Sequence, residues 1–302
     1  MKKILVLGGT GFVGRHLCQA LTRLQCSVTV PTRDPSRQPA LGSLPGLALV
    51  SADVHDERAL ARLLPDHDAV VNMVAILHGS AFEFERVHVA LVRKIVRACT
   101  EAGVKRLVHV SALGAGQDAP SMYQRSKAAG EAVIEASPLD WTVLRPSVIF
   151  GKGDQFLTLF ARLQAALPVM PLAGADTLFQ PVWVGDVVEA IVQCLQRGDT
   201  GKRVYEACGP ERFSLRQLVQ MAGRWSGHAR PVIGLPSAVA RLQALLMELA
   251  PGPTLMSRDN LDSMKVNNVA SGTLPGLDAL GITPHALSAI APAYLGTGAE
   301  SR

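Results

Sequence analysis

Short apolar runs alternate with stretches of helical periodicity along the first half of the chain. Lys3–Leu7 is rich in branched side chains and stops at Gly8-Gly9-Thr10-Gly11, which reads as a buried parallel strand entering a tight turn. From there Phe12, Val13, Leu17, Leu21 and Leu24 recur at helical spacing. Ser27–Val30 and Leu47–Val50 read as strands, Glu57–Leu64 as a helix and Ala69–Ala75 as a fourth strand. Phe82–Ala102 reads as one long helix ended by Gly103. Arg106–Val110 is a strand ending at Ser111, Met122–Ala136 a helix, and Trp141–Leu144 a sixth strand running into Arg145-Pro146. This alternation predicts βαβ units: a doubly wound parallel sheet with helices on both faces. Gly8, Arg33, Asp53, Ser111 and Arg145 each follow a strand, at the sheet edge where such folds bind ligands. After Gly151 the pattern loosens. Gln155–Leu167 and Val187–Gln196 read as helical, Thr177–Val184 and Lys202–Glu206 as extended, and Ser214–Trp225 as a helix with a serine N-cap. Residues 1–150 are therefore expected to form the core. Residues 151–302 form a smaller α/β lobe integrated with it.

The glycine turn gives the sheet a chemistry. In Gly8-Gly9-Thr10-Gly11-Phe12-Val13-Gly14 the first glycine suits the turn, Gly11 the approach of backbone N–H groups to a pyrophosphate, and Gly14 close helix–strand packing. Gly8, Thr10, Gly11, Phe12, Val13 and Gly14 are the candidate contacts of a dinucleotide in a Rossmann-type fold. No carboxylate stands at the end of the second strand before Asp34. Arg33 is there instead, placed to pair with a 2′-phosphate, so NADP(H) is expected over NAD(H). Arg15 either assists or is a surface arginine. Asp53-Val54 either reaches the adenine or caps the helix starting near Asp56.

Charge and composition narrow the partners. The 302 residues carry 30 Lys+Arg against 25 Asp+Glu, a net +5 that suits an anionic ligand or an anionic membrane surface. Without a basic run, and with aromatics at 5%, nucleic acid is not an expected partner. The five cysteines and eight histidines show no metal-ligand spacing. Buried thiols in a reducing cytoplasm are expected, with no secretory leader and no membrane-spanning run. His109 reads as a packed strand residue and Asp186 as a helix N-cap. Leu235–Leu249, with Val239, Leu242, Leu245, Leu246 and Leu249, reads as an amphipathic helix packing into the core, docking to a membrane or partner being the alternative.

Tyr123-x-x-x-Lys127 puts a phenol and an ammonium on one helix face. The cation and a bound nicotinamide's positive ring are expected to lower the phenol pKa so that Tyr123 exchanges a proton with a substrate carbonyl or carbinol, with Ser111 bonding the same oxygen. A structural set without turnover is the alternative.

These residues, with Asp53 and Arg145-Pro146-Ser147-Val148-Ile149-Phe150-Gly151, resemble the short-chain dehydrogenase/reductase superfamily in its extended and atypical branches. The resemblance implies catalytic roles for Ser111, Tyr123 and Lys127, and contact of Tyr123 and Lys127 with the cofactor. It places Pro146 and Val148 around nicotinamide and substrate, and Val74 and Ala75 on the adenine side. Gly153-Asp154-Gln155-Phe156-Leu157, Phe179-Gln180-Pro181-Val182-Trp183-Val184-Gly185-Asp186-Val187 and Leu280-Gly281-Ile282-Thr283-Pro284 are similar to the accessory Rossmann subunit of respiratory complex I and its bacterial relatives. That subunit is regarded as a structural NADPH binder. Two functions follow. One is an NADP(H)-dependent oxidoreductase acting on a small hydrophobic carbonyl or alcohol, quinone- or isoprenoid-related by analogy. The other is a non-catalytic NADPH-binding protein of a respiratory assembly. A cytoplasmic protein is expected. Contact with the inner membrane face or a respiratory complex, and a monomer or homodimer, stay open.

Overall fold

The computed structural model describes residues 2–249 and 256–296. Its centre is a seven-stranded parallel sheet. Along the chain come β1 (Lys3–Leu7), α1 (Phe12–Arg23), β2 (Ser27–Thr32), a short α2 (Pro39–Gly42), β3 (Leu47–Ser51), α3 (Glu57–Leu63) and β4 (Ala69–Asn72). Then follow α4 (Ala81–Phe84), a π-helical turn (Glu85–Ala90), α5 (Leu91–Ala102), β5 (Arg106–Val110), α6 (Met122–Glu135) and β6 (Asp140–Pro146). The seventh strand, β11 (Arg203–Ala207), comes from the second half of the chain and lies beside β6, giving the order β11-β6-β5-β4-β1-β2-β3. This is a Rossmann-type α/β fold, and the order reverses between β1 and β4.

The strands read as continuous apolar runs because both faces are covered. Successive side chains of β1 go to opposite sides. Ile4 and Val6 pack with Leu17 and Leu21 of α1 and with Val187 and Ile191 of α8 (Val184–Gln196). Leu5 and Leu7 pack with Leu60 of α3, Ile95 of α5 and Ile134 of α6.

A third core belongs to the second half. Phe160 of α7 (Leu157–Ala166), Leu218 of α9 (Leu215–Trp225) and Leu287 of α12 (Leu287–Leu295) meet there. Three two-stranded ribbons frame it: β7 (Ile149–Phe150) with β10 (Val182–Trp183), β9 (Leu178–Phe179) with β12 (Phe213–Ser214), and β8 (Met170–Leu172) with β13 (Val232–Gly234). The loop after β7 reaches back to the glycine turn, where the Lys152 carbonyl lies 3.2 Å from His16 Nε2. The last two helices to place are α10 (Ser237–Leu249) and α11 (Arg258–Ser263).

Four local expectations are corrected. The helix read over Phe82–Ala102 is broken by the π turn at Glu85–Ala90. There α6 presses so close that a Cβ on Gly130 would sit 2.2 Å from the His88 carbonyl oxygen. β4 stops at Asn72, whose side-chain oxygen accepts the Val74 N–H at 3.2 Å and bends the chain out of the sheet. Asp186 is not an N-cap. It is a buried first-turn residue of α8 that accepts the His285 backbone N–H (2.8 Å) and its Nδ1–H (2.7 Å). Finally, α10 does not bury its leucines: Val239, Leu242, Leu246 and Leu249 are 50–74% exposed.

Candidate functional site

The site begins at the reversal of strand order. Gly8 takes φ +85°, and a Cβ there would lie 3.0 Å from the Met73 carbonyl carbon, so the turn after β1 abuts the chain leaving β4 at Met73-Val74. A Cβ on Gly14 would lie 2.3 Å from the Gly8 oxygen, which is the close helix–strand approach read from the sequence. Gly11 N–H is spent inside the turn on Gly8 O at 3.0 Å. The amides left to receive an anion are therefore those of Phe12, Val13 and Gly14, in the first turn of α1. No side chain caps α1, whereas Asp56, Ser121 and Ser214 cap α3, α6 and α9. Uncapped amides on a helix N-terminus, over a turn in which side chains would clash, fit a pyrophosphate. Arg15 turns back, its Nε donating to Thr10 O at 2.9 Å.

The next two strand ends form the adenosine side. Arg33 is exposed directly after β2. Asp34 is diverted: its carboxylate accepts the Ser36 N–H at 3.1 Å and pairs with Arg37 at 3.0 Å. Asp53, after β3, is exposed and accepts the His55 N–H at 2.9 Å, while Asp56 supplies the cap of α3. Burial holds the His55 imidazole below its usual range, helped by the cations Arg86, Lys94 and Arg33 against the opposing charge of Asp53. Val54 and Val74 are half-buried and pack against one core cluster, and Ala75 is exposed.

The third group gathers at the ends of β5 and β6. Ser111 N–H donates to Leu144 O at 2.7 Å, and Leu113 N–H to Pro146 O at 2.9 Å, so Ser111 and Pro146 are brought together. The Ser111 hydroxyl is buried and has no partner among the described residues. Lys127 is buried, and its Nζ donates to Val110 O at 2.9 Å, one residue from Ser111. Burial brings Lys127 down to about 8, opposed by Glu131 one turn on. Tyr123, one turn earlier on α6, is half-buried. Its phenol is pushed up to about 12 by burial. Desolvation is the cause of that rise, and the Lys127 ammonium is aimed at Val110 O. Val148 sits further along, half-buried, its carbonyl accepting Val182 N–H at 3.0 Å.

His88 and Asp259, which the sequence did not single out, help hold this group in place. His88 Nε2 accepts the Ile76 N–H at 3.1 Å. Its Nδ1 lies 2.8 Å from Ser126 Oγ, which donates to Tyr123 O at 2.8 Å. Those partners assign the proton to Nδ1. Burial and the neighbouring Lys127 bring His88 down to about 3, so the ring is neutral and packs edge-on against Tyr123 at 5.6 Å. His109, read as packed, is buried with Nδ1 3.1 Å from Asn72 Nδ2. Arg145 forks onto the buried Glu131 of α6 with Nε at 3.1 Å from both carboxylate oxygens, tying β6 to the helix that bears Lys127. Asp259, from α11, accepts the backbone N–H groups of Met122 and Tyr123. A glycine inside a helix, Gly130, was the one sequence mark of the His88 approach. No sequence signal connects Asp259 to Tyr123.

An uncapped helix over a glycine turn at the switch point of a parallel sheet, with Tyr-x-x-x-Lys on the crossover between β5 and β6, defines a dinucleotide-binding Rossmann protein. Residues 8–158 match the model of the NAD(P)H-binding family, and residues 115–223 match that of the RmlD substrate binding domain. The mitochondrial NADH dehydrogenase [ubiquinone] 1 alpha subcomplex subunit 9 of Mus musculus is 32% identical over 286 residues, 92% of this chain and 76% of the relative. A ceramide reductase of Caulobacter vibrioides is 31% identical over 191 residues, 63% of this chain and 59% of the relative. A dTDP-glucose 4,6-dehydratase of Streptomyces venezuelae, solved with NAD, superposes with TM-score 0.78 at 21% identity, covering 97% of this chain and 95% of that one, which speaks to the fold. The chain belongs to the NAD(P)-binding, extended short-chain dehydrogenase/reductase-like family.

Proposed function

We propose that the chain is an NADP(H)-dependent oxidoreductase that reduces a small hydrophobic carbonyl, with Ser111, Tyr123 and Lys127 as its catalytic residues. The observation that carries this reading is the buried, unpartnered Ser111 hydroxyl beside the Val110 carbonyl that Lys127 holds. A buried hydroxyl left without a partner is costly unless a ligand completes it. The nicotinamide dinucleotide supplies hydride when bound. The amides of Phe12, Val13 and Gly14 hold its pyrophosphate over the turn that Gly8, Thr10 and Gly11 shape, Arg33 holds its 2′-phosphate, and Asp53, Val54, Val74 and Ala75 its adenosine. Pro146 and Val148 border the nicotinamide end. Ser111 Oγ donates to the substrate oxygen. Tyr123, protonated across the neutral range, donates the proton that turns the carbonyl into an alcohol. Lys127 orients the ribose hydroxyls and keeps a cation beside the phenol as it loses its proton. Exposed Leu77, Phe82 and Met122, on the loop after β4, in α4 and at the start of α6, favour a hydrophobic substrate. The buried thiols Cys18, Cys99, Cys194 and Cys208 suit a reducing cytoplasm, and we place the protein there, at the inner face of the membrane.

A second reading has its own support. Similarity to the mouse respiratory subunit spans 92% of the chain, which suits an NADPH-binding structural protein in contact with a respiratory complex. One experiment separates the two. Tyr123→Phe should lower NADPH oxidation by ~10²-fold or more while leaving NADPH affinity nearly unchanged. Complementation of a deletion strain by Tyr123→Phe, together with failure of Gly14→Val, would overturn the enzyme and leave the dinucleotide a structural ligand.

A further inference from the structure

Helix α10 is inside out. It buries its small residues, Ala240 at 4% and Ala244 at 0% exposure, and turns Val239, Leu242, Leu246 and Leu249 to the outside at 50, 57, 61 and 74%. On a helical wheel the four large residues share an arc of about 80°, opposite the two alanines. Ile233, on the strand leading into this helix, is 54% exposed as well. Soluble helices place their apolar stripe the other way round, and contiguous apolar surface of this kind marks a contact.

The charge around the stripe says what the contact is. Along the chain from Glu211 to Leu249 stand Arg212, Arg216, Arg224, Arg230 and Arg241 against Glu211 and Glu248; Arg241 lies on α10 itself, and Arg216 bonds Val232 O of β13. The segment of sequence that carries the apolar stripe is therefore net cationic. Arg212, Arg224, Arg230 and Arg241 are exposed. Of these, Arg241 has a loose pair, Asp262 at 3.5 Å. A second copy of the same surface would bring like charges together. Apolar side chains flanked by cations are complementary to anionic headgroups over acyl chains, the two signals that together give stable surface binding.

The stripe is also tied to the site. The Glu248 carboxylate accepts from Arg258 Nε at 2.8 Å, linking α10 to α11. Asp259 of α11 holds the first turn of α6, and Ser257 lies 3.5 Å from His78 on the loop after β4. The exposed Leu77 and Met122 stand on the elements so joined.

We propose that α10 docks the chain on an anionic phospholipid bilayer, with Val239, Leu242, Leu246 and Leu249 at headgroup depth and the arginines against lipid phosphates. Docked in this way, the loop after β4 and the start of α6 meet a substrate dissolved in the lipid. That last clause rests on the oxidoreductase reading, and the docking itself does not. The test is co-sedimentation of the full chain, without cofactor or substrate, on vesicles of phosphatidylcholine alone or mixed with phosphatidylglycerol. Binding to the mixed vesicles only is expected, weakened ~10-fold or more by Leu242→Ser with Leu246→Ser, and separately by Arg241→Glu with Arg230→Glu. An unchanged urea midpoint and NADPH affinity would show that the variants are folded. Absence of binding to the mixed vesicles, or equal binding by the serine variant, overturns the proposal. So does a concentration-dependent dimer abolished by the same serines, which would make the face a contact between copies. Loss of the oxidoreductase reading through Tyr123→Phe leaves the vesicle result standing.

Discussion

The carboxylate of Asp259 accepts the backbone N–H groups of Met122 and Tyr123, at 2.6 and 3.0 Å, from a residue 136 positions beyond the tyrosine. It reinforces the local cap, Ser121, whose Oγ accepts from Gln124 N–H at 3.1 Å. A buried carboxylate at a helix N-terminus satisfies amides that would otherwise be orphaned and opposes the helix dipole. Asp259→Ala should lower stability by about 1–2 kcal/mol. It should also lower turnover by loosening Tyr123, while NADPH affinity, set at the glycine turn, changes little. Urea midpoints with calorimetric NADPH titration check this. An affinity loss as large as the turnover loss would contradict it.

Gly130 tests the packing behind the site. Its missing side chain admits the His88 carbonyl of the π turn, and backbone cannot step aside as a flexible side chain can. Gly130→Ala should cost about 1–3 kcal/mol, the usual range for overpacking. Gly116→Ala is the control. Nothing lies closer than 3.9 Å to its added methyl, so a change within about 0.5 kcal/mol is expected. Equal costs for the two would remove the steric account.

What could be read from the sequence follows a physical line. Periodicity found the central strands of the main sheet because they are buried on both faces, so their runs are apolar regardless of what covers them. The glycine turn was legible because its constraints are local: Gly8, Gly11 and Gly14 act on neighbours within a few residues. The π turn at Glu85–Ala90 was not legible, since the residue inserted there leaves the apolar pattern helical. The outward leucines of α10 were not legible either. A hydrophobic stripe has the same spacing whether it faces a core or a membrane, and only the burial of Ala240 and Ala244 decides. Asp259 and His88 act across long separations, and no one-dimensional pattern carries such contacts.

Acid should weaken the fold through His88. In the native protein its pKa is about 3, against an ordinary 6.5, so between those values the unfolded chain binds a proton that the native chain excludes. Stability is then fully present above 6.5 and is lost as pH falls toward 3. At about pH 5 the loss from such a group is about 2 kcal/mol. His109, buried and held well below its ordinary value, acts in the same direction. Urea midpoints near pH 7 and pH 5 should show a smaller acid-induced drop for His88→Gln than for the parent. The same drop in both proteins would assign the acid sensitivity elsewhere.

Lys127 sets stability against function. Its native pKa of about 8 lies below the ordinary 10.5, so the charged form is disfavoured by folding. Stability should therefore rise as pH goes from about 8 to 10.5, where the native lysine has lost its proton and the unfolded one has not. Lys127→Met, which keeps the length of the chain and removes the charge, should raise the urea midpoint at neutral pH and abolish that rise. It should also lower NADPH oxidation by ~10²-fold or more. A variant that is less stable than the parent would mean that the bond to Val110 O outweighs the desolvation of the ammonium.

Cofactor choice turns on two consecutive residues. At the end of β2 a carboxylate would accept the ribose hydroxyls of NAD, and Asp34 is the only candidate within reach in sequence. Its oxygens are already taken by Ser36 N–H and Arg37. Arg33, by contrast, is exposed after Thr32, and it acts on His55 together with Arg86 and Lys94, against the opposing charge of Asp53. An arginine fork is matched to a 2′-phosphate. Removing a charge-assisted pair costs on the order of 1.5–3 kcal/mol, so Arg33→Ala should weaken NADPH by roughly 10- to 150-fold. NADH, which has no phosphate there, should bind as before. Because Arg33 is exposed, its advantage is screened, and the NADPH preference of the parent should shrink as salt is raised. Arg33→Asp, which adds repulsion and supplies the missing ribose acceptor, should turn the preference toward NADH. Calorimetry on the three proteins with both cofactors reads every arm, and equal binding of NADPH and NADH by the parent would end the case for Arg33.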